Sequence, residues 1–255
     1  MGVVNVTPDS FSDGGMFLDA KDAIAHGRKL LEEGADILDI GGESSRPGAQ
    51  AVPEQEELAR VLPVVKALKD VPVSVDTRRP AVMRAVLEAG ASMINDIEAL
   101  STPGALDAVA DTDCAVCLMH KQGDPATMQN APSYKDVAVE VRDFLAARIS
   151  ACQIAGIEKD RITIDPGFGF GKTVEHNFSL LKRLPELVAL GLPVVAGWSR
   201  KSTLGTLTGR DVGERLAASL SAALLAVQHG ATILRVHDVR ETRDALTVMQ
   251  ALEKA

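Results

Sequence analysis

Residues 164–173 read IDPGFGFGKT and close on Gly-Lys-Thr, the triplet that ends a phosphate-binding loop. Such a loop needs Gly-x-x-x-x-Gly-Lys-Ser/Thr, because its backbone N–H groups cradle the phosphates. Counting back from Gly171, the first required glycine falls at Pro166, which has no N–H to give. The dinucleotide pattern Gly-x-Gly-x-x-Gly fails too, since the glycines sit at 167, 169 and 171. What remains is an apolar strand ending in Asp165, a proline that stops it and a tight glycine-rich turn. A second stretch, RVHDV, puts Arg235 and His237 two apart at a strand end, so both share a face. Arg46, Lys201, Arg235 and His237 all fall at strand ends or in loops just after them. Such a basic cluster suits an anion, and an anionic ligand would need it, because 27 Lys and Arg against 35 Asp and Glu leave a net charge of -8. That acidic balance argues against non-specific nucleic-acid or membrane binding.

Three cysteines, Cys114, Cys117 and Cys152, provide no disulfide framework and point to a reducing cytoplasm. The spacing Cys114-x-x-Cys117 invites a metal or redox reading, but CAVCLM reads as a buried strand. Side chains three apart on a strand point to opposite faces, so two buried thiols are expected. The start, MGVVNVTPDS, lacks the basic and apolar pattern of a secretion signal. Leu216–Val236 is apolar but interrupted at Gln228-His229-Gly230, as a helix, a glycine stop and a strand would be.

These residues must be positioned by regular elements. Strand candidates fall at 3–6, 36–40, 71–76, 92–97, 114–119, 161–165, 193–197 and 232–236. Helical patterns alternate with them near 19–33, 54–69, 79–89, 103–110, 134–155, 176–190, 213–229 and 239–253. Several helices end in a glycine suited to a left-handed C-cap, as in EEGAD, EAGAS, AGIEKD and QHGAT. Eight βα units predict a parallel sheet closed into a single-domain (β/α)8 barrel over residues 1–255, with an open doubly wound sheet as the alternative. With aromatics at only 3%, the core must be built from Ala, Val, Leu and Ile.

In such barrels the active site lies at the C-terminal ends of the strands. Those ends carry Asn5, Asp39 to Arg46, Asp76, Asn95 and Asp96, Met119 and His120, Asp165, Gly197 to Lys201, and Arg235, Val236 and His237. Caps and turn formers would account for one or two polar strand ends, not for nearly all of them. The loops after the first, second and fifth strands are long, so they are either closing loops or plain surface excursions.

In this order, NVTPDSFSDGG, DIGGESSRPGA, SVDT, INDI, LMH, DPGFGFGK, SRKS and RVHDV resemble the dihydropteroate synthases, from Val3 to about Val239. The resemblance implies a (β/α)8 barrel, usually homodimeric, acting in folate synthesis. It implies a transferase that joins 6-hydroxymethyl-7,8-dihydropterin diphosphate to 4-aminobenzoate. The products would be 7,8-dihydropteroate and diphosphate, Mg²⁺ would be required and sulfonamides would compete with 4-aminobenzoate.

Residue roles follow as expectations. A carboxylate can accept two N–H groups of a pterin edge in a fork, and Asp165 is the candidate. Asn95 offers both a donor and an acceptor to that edge, or else serves as a turn former. The resemblance adds Asp76 to the pterin contacts and sets Lys201 beside the pterin and Asp165, where a plain salt bridge is the alternative. It assigns Arg235 and His237 to the diphosphate; otherwise His237 is merely a helix N-terminal residue before Asp238. It makes Asn5 a Mg²⁺ ligand. Ser45, Arg46, Pro47 and Phe170 are candidate walls of the 4-aminobenzoate site, and a helix start at Ser202 could meet its carboxylate. Met119, Gly197 and Val236 complete the candidate substrate contacts. Lys201, Asp165, Arg235 and His237 form the candidate catalytic set. Cleavage of the pterin CH2–O bond, followed by attack of the neutral aniline, would need little general-base help, and no obvious base is present. Ser45 stands where the family commonly has Thr, which bears on 4-aminobenzoate and sulfonamide affinity. Trp198 reads as packing near the barrel mouth. The alternatives are a pterin-binding methyl-carrier domain of corrinoid-dependent methyl transfer, and a non-catalytic relative.

Overall fold

A computed structural model describes residues 1–6, 20–43, 51–124 and 127–254. The β-branched runs form β1 (Gly2–Asn5), β2 (Leu38–Gly41), β3 (Val73–Asp76), β4 (Met93–Asp96), β5 (Ala115–Met119), β6 (Ile162–Asp165), β7 (Val195–Ala196) and β8 (Ile233–Leu234). Between and after them run α1 (Ala20–Glu32), α2 (Glu54–Leu68), α3 (Pro80–Glu88), α4 (Ala105–Val109), α5 (Val137–Ile154), α6 (Val174–Lys182), α7 (Pro185–Val188), α8 (Ser202–Thr208), α9 (Leu216–Gln228) and α10 (Val239–Glu253).

β1 to β6 pair in parallel in chain order, and β7 pairs with β8. Single parallel bridges join the two sheets at both edges, Ile164 to Val194 and Gly2 to Val236. Ile164 N donates to Pro193 O, and Val3 N to Val236 O, each at 3.0 Å. The ring therefore closes as the expected α/β barrel rather than an open sheet. Alternation along each strand does the rest. Val4, Leu38, Ile40, Val73, Val75, Ile94, Val116 and Ile164 belong to a large cluster shared with helix residues such as Leu30, Val65, Met83 and Leu145. Burying each such side chain contributes about 1.5–3 kcal/mol. The opposite parity supplies a small second cluster of Met1, Met93, Cys117 and Val195. In the same parity come Asp39 within β2, Asp76 and Asp165 at the C-terminal ends of β3 and β6, and Asn95 next to the end of β4. Cys114 and Cys117 are both buried, in different clusters, as a strand predicts.

Gly34, Gly90, Gly156 and Gly230 all take positive φ after their helices, as the caps require. Three helical expectations need correction. The run 176–190 is split into α6 and α7, because Pro185 cannot donate to the preceding turn. The run 213–229 begins as a 3-10 turn, Val212–Glu214, before α9 starts at Leu216. Helix α8 lies outside the expected helical runs, although its start at Ser202 was anticipated. Among the described residues no helix is long and apolar enough to cross a membrane.

Candidate active site

Register places the polar strand ends side by side. Asn5 pairs with Gly41, Gly41 with Asp76 and Asp76 with Asn95, while Met119 pairs with Asp165. Above them opens a cavity with about 330 Å³ of empty space, some of it open to solvent. Its polar lining is Asp76, Asn95, Asp165, Lys201 and Arg235; Ile97, Met119, Phe168 and Phe170 provide apolar walls, and Gly167 and Gly197 complete it. Sequence reasoning had named eight of these residues, but not Ile97, Gly167 or Phe168.

Arg235 binds two carboxylates from different strands. Its Nε donates to Asp39 Oδ2 at 2.6 Å, and a terminal N–H donates to Asp76 Oδ2 at 3.2 Å. Burial disfavours the guanidinium's charge, but Asp39 and Asp76 outweigh that and raise its pKa. Asp39, fully buried, also accepts from Asn95 Nδ2 at 3.2 Å. Its strand-end position was noted, but no role was assigned; only the tertiary contact with residue 235 shows one. The second oxygen of Asp39 and the amide oxygen of Asn95 meet no donor among the described residues. Buried acceptors without donors are costly, and Asn95 lines the cavity, so the site suits a ligand that brings an N–H group there. Burial pushes the Asp76 carboxyl up to about 7; Arg235 opposes that, while Asp39 and Asp96 add to it. Burial likewise raises Asp165, against the opposing pull of the Gly167 N–H and of Lys201, Arg235 and Lys172.

The glycine-rich turn is not a phosphate cradle. Gly167 N donates to Asp165 Oδ1 at 2.7 Å, which fixes that carboxylate. Gly167 has φ +69°, and a Cβ there would lie 1.8 Å from the His120 carbonyl oxygen. Lys172 turns inward and is buried. Its Nζ donates to Gly167 O at 2.9 Å and Phe170 O at 3.1 Å, and meets His120 Nδ1 at 3.0 Å. Burial lowers the Lys172 pKa to about 7, although Asp165 raises it. Burial and the Lys172 charge push His120 down to about 3, so a neutral ring accepts at Nδ1. Thr173 caps α6: its Oγ1 accepts from His176 N at 3.1 Å, and His176 Nδ1 accepts from Thr173 N at 3.3 Å. The Lys and Thr that imitate a nucleotide loop are thus both spent on structure.

Lys201 ends the turn after β7 and sets its Nζ 4.0 Å from the Phe170 ring centroid. Next to it, Ser199 Oγ bonds His237 at both its backbone N–H and Nδ1, at 3.1 and 3.0 Å. His237 itself does not line the cavity. Asn5 ends β1; its Oδ1 lies 3.9 Å, and the Asp76 Cβ 3.7 Å, from where a Cβ on Gly41 would stand. Besides His237, two expected contacts are not brought to the cavity. Ser202 is exposed on the first turn of α8. Val236 is buried and spends its backbone on Met1 and Val3, closing the barrel. Ser45, Arg46 and Pro47 lie outside the described residues. Trp198 is buried, its ring 4.4 Å from that of Phe168, so the packing expectation holds.

A parallel barrel whose mouth presents acceptors beneath cations defines a class, and the comparisons name it. The model of the pterin binding enzyme family matches residues 1–237, and the chain belongs to that family. Within it the chain falls among the dihydropteroate synthases. The Escherichia coli K12 dihydropteroate synthase is 51% identical over 254 residues, covering 98% of this chain and 90% of its own. The Xanthomonas albilineans dihydropteroate synthase solved with 4-aminobenzoic acid superposes with a TM-score of 0.94 at 57% identity, covering 100% of this chain and 92% of that one. The same enzyme in complex with 7,8-dihydropteroate gives a TM-score of 0.90 at 54% identity, covering 100% and 93%. Nearly full-length identity at this level favours the synthase over the methyl-carrier alternative.

Proposed function

We propose that the chain condenses 6-hydroxymethyl-7,8-dihydropterin diphosphate with 4-aminobenzoate, giving 7,8-dihydropteroate and diphosphate in folate synthesis. The observation that carries this reading is the donorless buried amide oxygen of Asn95, which lines the cavity beside the Asp76 and Asp165 carboxylates. Asp165, Asp76 and Asn95 accept and donate along the pterin edge, between Met119 and Phe170. Lys201 and Arg235 stabilise negative charge as the CH2–O bond breaks, with His237 reaching the diphosphate. The amine of 4-aminobenzoate then attacks the pterin methylene, losing its proton to solvent. Ser45, Arg46 and Pro47 with Phe170 form the 4-aminobenzoate walls. The exposed start of α8 at Ser202 supports a contact with the 4-aminobenzoate carboxylate outside the cavity.

Asn5 offers one amide oxygen near Asp76, and among the described residues no three His, Cys, Asp or Glu side chains converge as a metal site. A hard cation that takes most of its ligands from phosphate and water fits that donor set, so Mg²⁺ would be held by Asn5 with the substrate. Bound there, it supplies charge neutralisation to the departing diphosphate. Residues 1–255 act as one domain in the cytoplasm. A homodimer is supported by Leu216 and Leu225 on α9 and Val248 and Leu252 on α10, large apolar side chains left exposed.

The test is diphosphate release on mixing the two substrates with Mg²⁺. Release that depends on 4-aminobenzoate and is inhibited by a sulfonamide is expected. Binding of a pterin without any such release would instead indicate a carrier or a non-catalytic relative.

A further inference from the structure

We propose that Ser199 is a positioning residue that fixes the tautomer and orientation of the His237 ring. This rests on the reading of His237 as a diphosphate contact. A serine hydroxyl has one hydrogen to give and two lone pairs. The His237 backbone N–H donates to Oγ at 3.1 Å and takes one lone pair. Nδ1 stands 3.0 Å from the same Oγ. Ser199 is buried and makes no other hydrogen bond among the described residues. If Nδ1 carried the proton, the hydroxyl hydrogen would be buried without an acceptor, which is unfavourable. The hydroxyl therefore donates to a bare Nδ1, and the neutral ring keeps its proton on Nε2. An Nε2–H is a donor suited to an anionic oxygen, whereas a bare Nε2 would repel one.

The turn that carries Ser199 is itself held. Arg200 adopts φ +59°, a strained value for a side chain of its size. Its N–H donates to Ser219 Oγ at 2.9 Å, and Arg215 donates to its carbonyl oxygen at 3.1 Å. Its guanidinium grips Asp238 through two bonds, Nε at 3.1 Å and a terminal nitrogen at 2.5 Å. Consecutive residues 199 and 200 are thus buttoned to consecutive residues 237 and 238. Lys201 follows directly, so one strained turn sets the pterin-side cation and the histidine in mutual register.

The experiment pairs kinetics with long-range proton–nitrogen NMR of the histidines at pH 8, where five histidines must be told apart. The wild type is expected to show the Nε2–H tautomer at His237. Ser199→Ala is expected to mix the tautomers and to raise KM for the pterin diphosphate about five-fold, the effect of one lost hydrogen bond. KM for 4-aminobenzoate should stay unchanged, and Ser199→Thr, which keeps the hydroxyl, should restore both readouts. An Nδ1–H tautomer in the wild type overturns the proposal. So does an Ala variant in which either the tautomer or the pterin diphosphate KM does not move. If the wild type releases no diphosphate at all, the functional reading falls, while the tautomer spectrum still decides the role of Ser199.

Discussion

Replacing Asp39 by Asn tests the charge chain beneath the cavity. The substitution keeps shape and removes one negative charge from a fully buried position that holds Arg235 at 2.6 Å. Breaking a buried ion pair by deleting one partner costs about 3–5 kcal/mol. Here Arg235 is 20% exposed and keeps Asp76 at 3.2 Å, and the amide oxygen can still accept. The expected loss is therefore smaller, about 2 kcal/mol, measured by urea denaturation at pH 8. The same change has a signed effect on ligand binding. On the proposed reading Asp76 accepts a pterin N–H, and its carboxylate accepts more strongly than its protonated form, so wild-type affinity should rise with pH through about 7, the value to which burial brings that group. Asp39 pushes it up further, so removing the Asp39 charge lowers the Asp76 pKa. The acid limb of pterin binding, followed by calorimetry from pH 5 to 9, should move to lower pH. A stability loss below about 0.5 kcal/mol, or a limb that stays or moves up, would refute the reasoning.

Lys201→Ala should lower turnover at least about a hundred-fold by removing a cation at the developing charge, while thermal stability changes little; near-native turnover would remove Lys201 from the catalytic set. Asp165→Ala should do the same through lost pterin binding, read as a lost calorimetric signal. Lys172→Met leaves the Gly167 and Phe170 carbonyls and His120 Nδ1 without their donor, and should cost about 3 kcal/mol in urea denaturation; a stable variant would show that the inward lysine is dispensable. Gly167→Ala forces a Cβ against the His120 carbonyl at a positive φ, and should cost more than about 2 kcal/mol and abolish pterin binding.

Sequence alone determined the eight βα units and the strand ends as the place to look, because these rest on local periodicity and glycine caps, while the bridges Ile164 to Val194 and Gly2 to Val236 decided for a closed barrel over an open sheet. It also ruled out the nucleotide loop, since one missing N–H at Pro166 is a local fact. Asp76, Asn95, Asp165, Lys201 and Arg235 were legible as candidate site residues by strand-end position and resemblance, and they line one cavity. What no local pattern carried was which groups face each other across the ring. Asp39 meets Arg235 across a chain separation of 196 residues. Lys172 of GFGKT folds under the turn to meet a histidine 52 residues away. Ser199 reads as an ordinary turn serine until β7 and β8 pair and bring His237 beside it. Val236, a candidate substrate contact, spends its backbone on the seam that closes the barrel. Periodicity is a property of neighbours in the chain, whereas hydrogen-bond partners and burial belong to neighbours in space, and only closure of the barrel makes the second from the first.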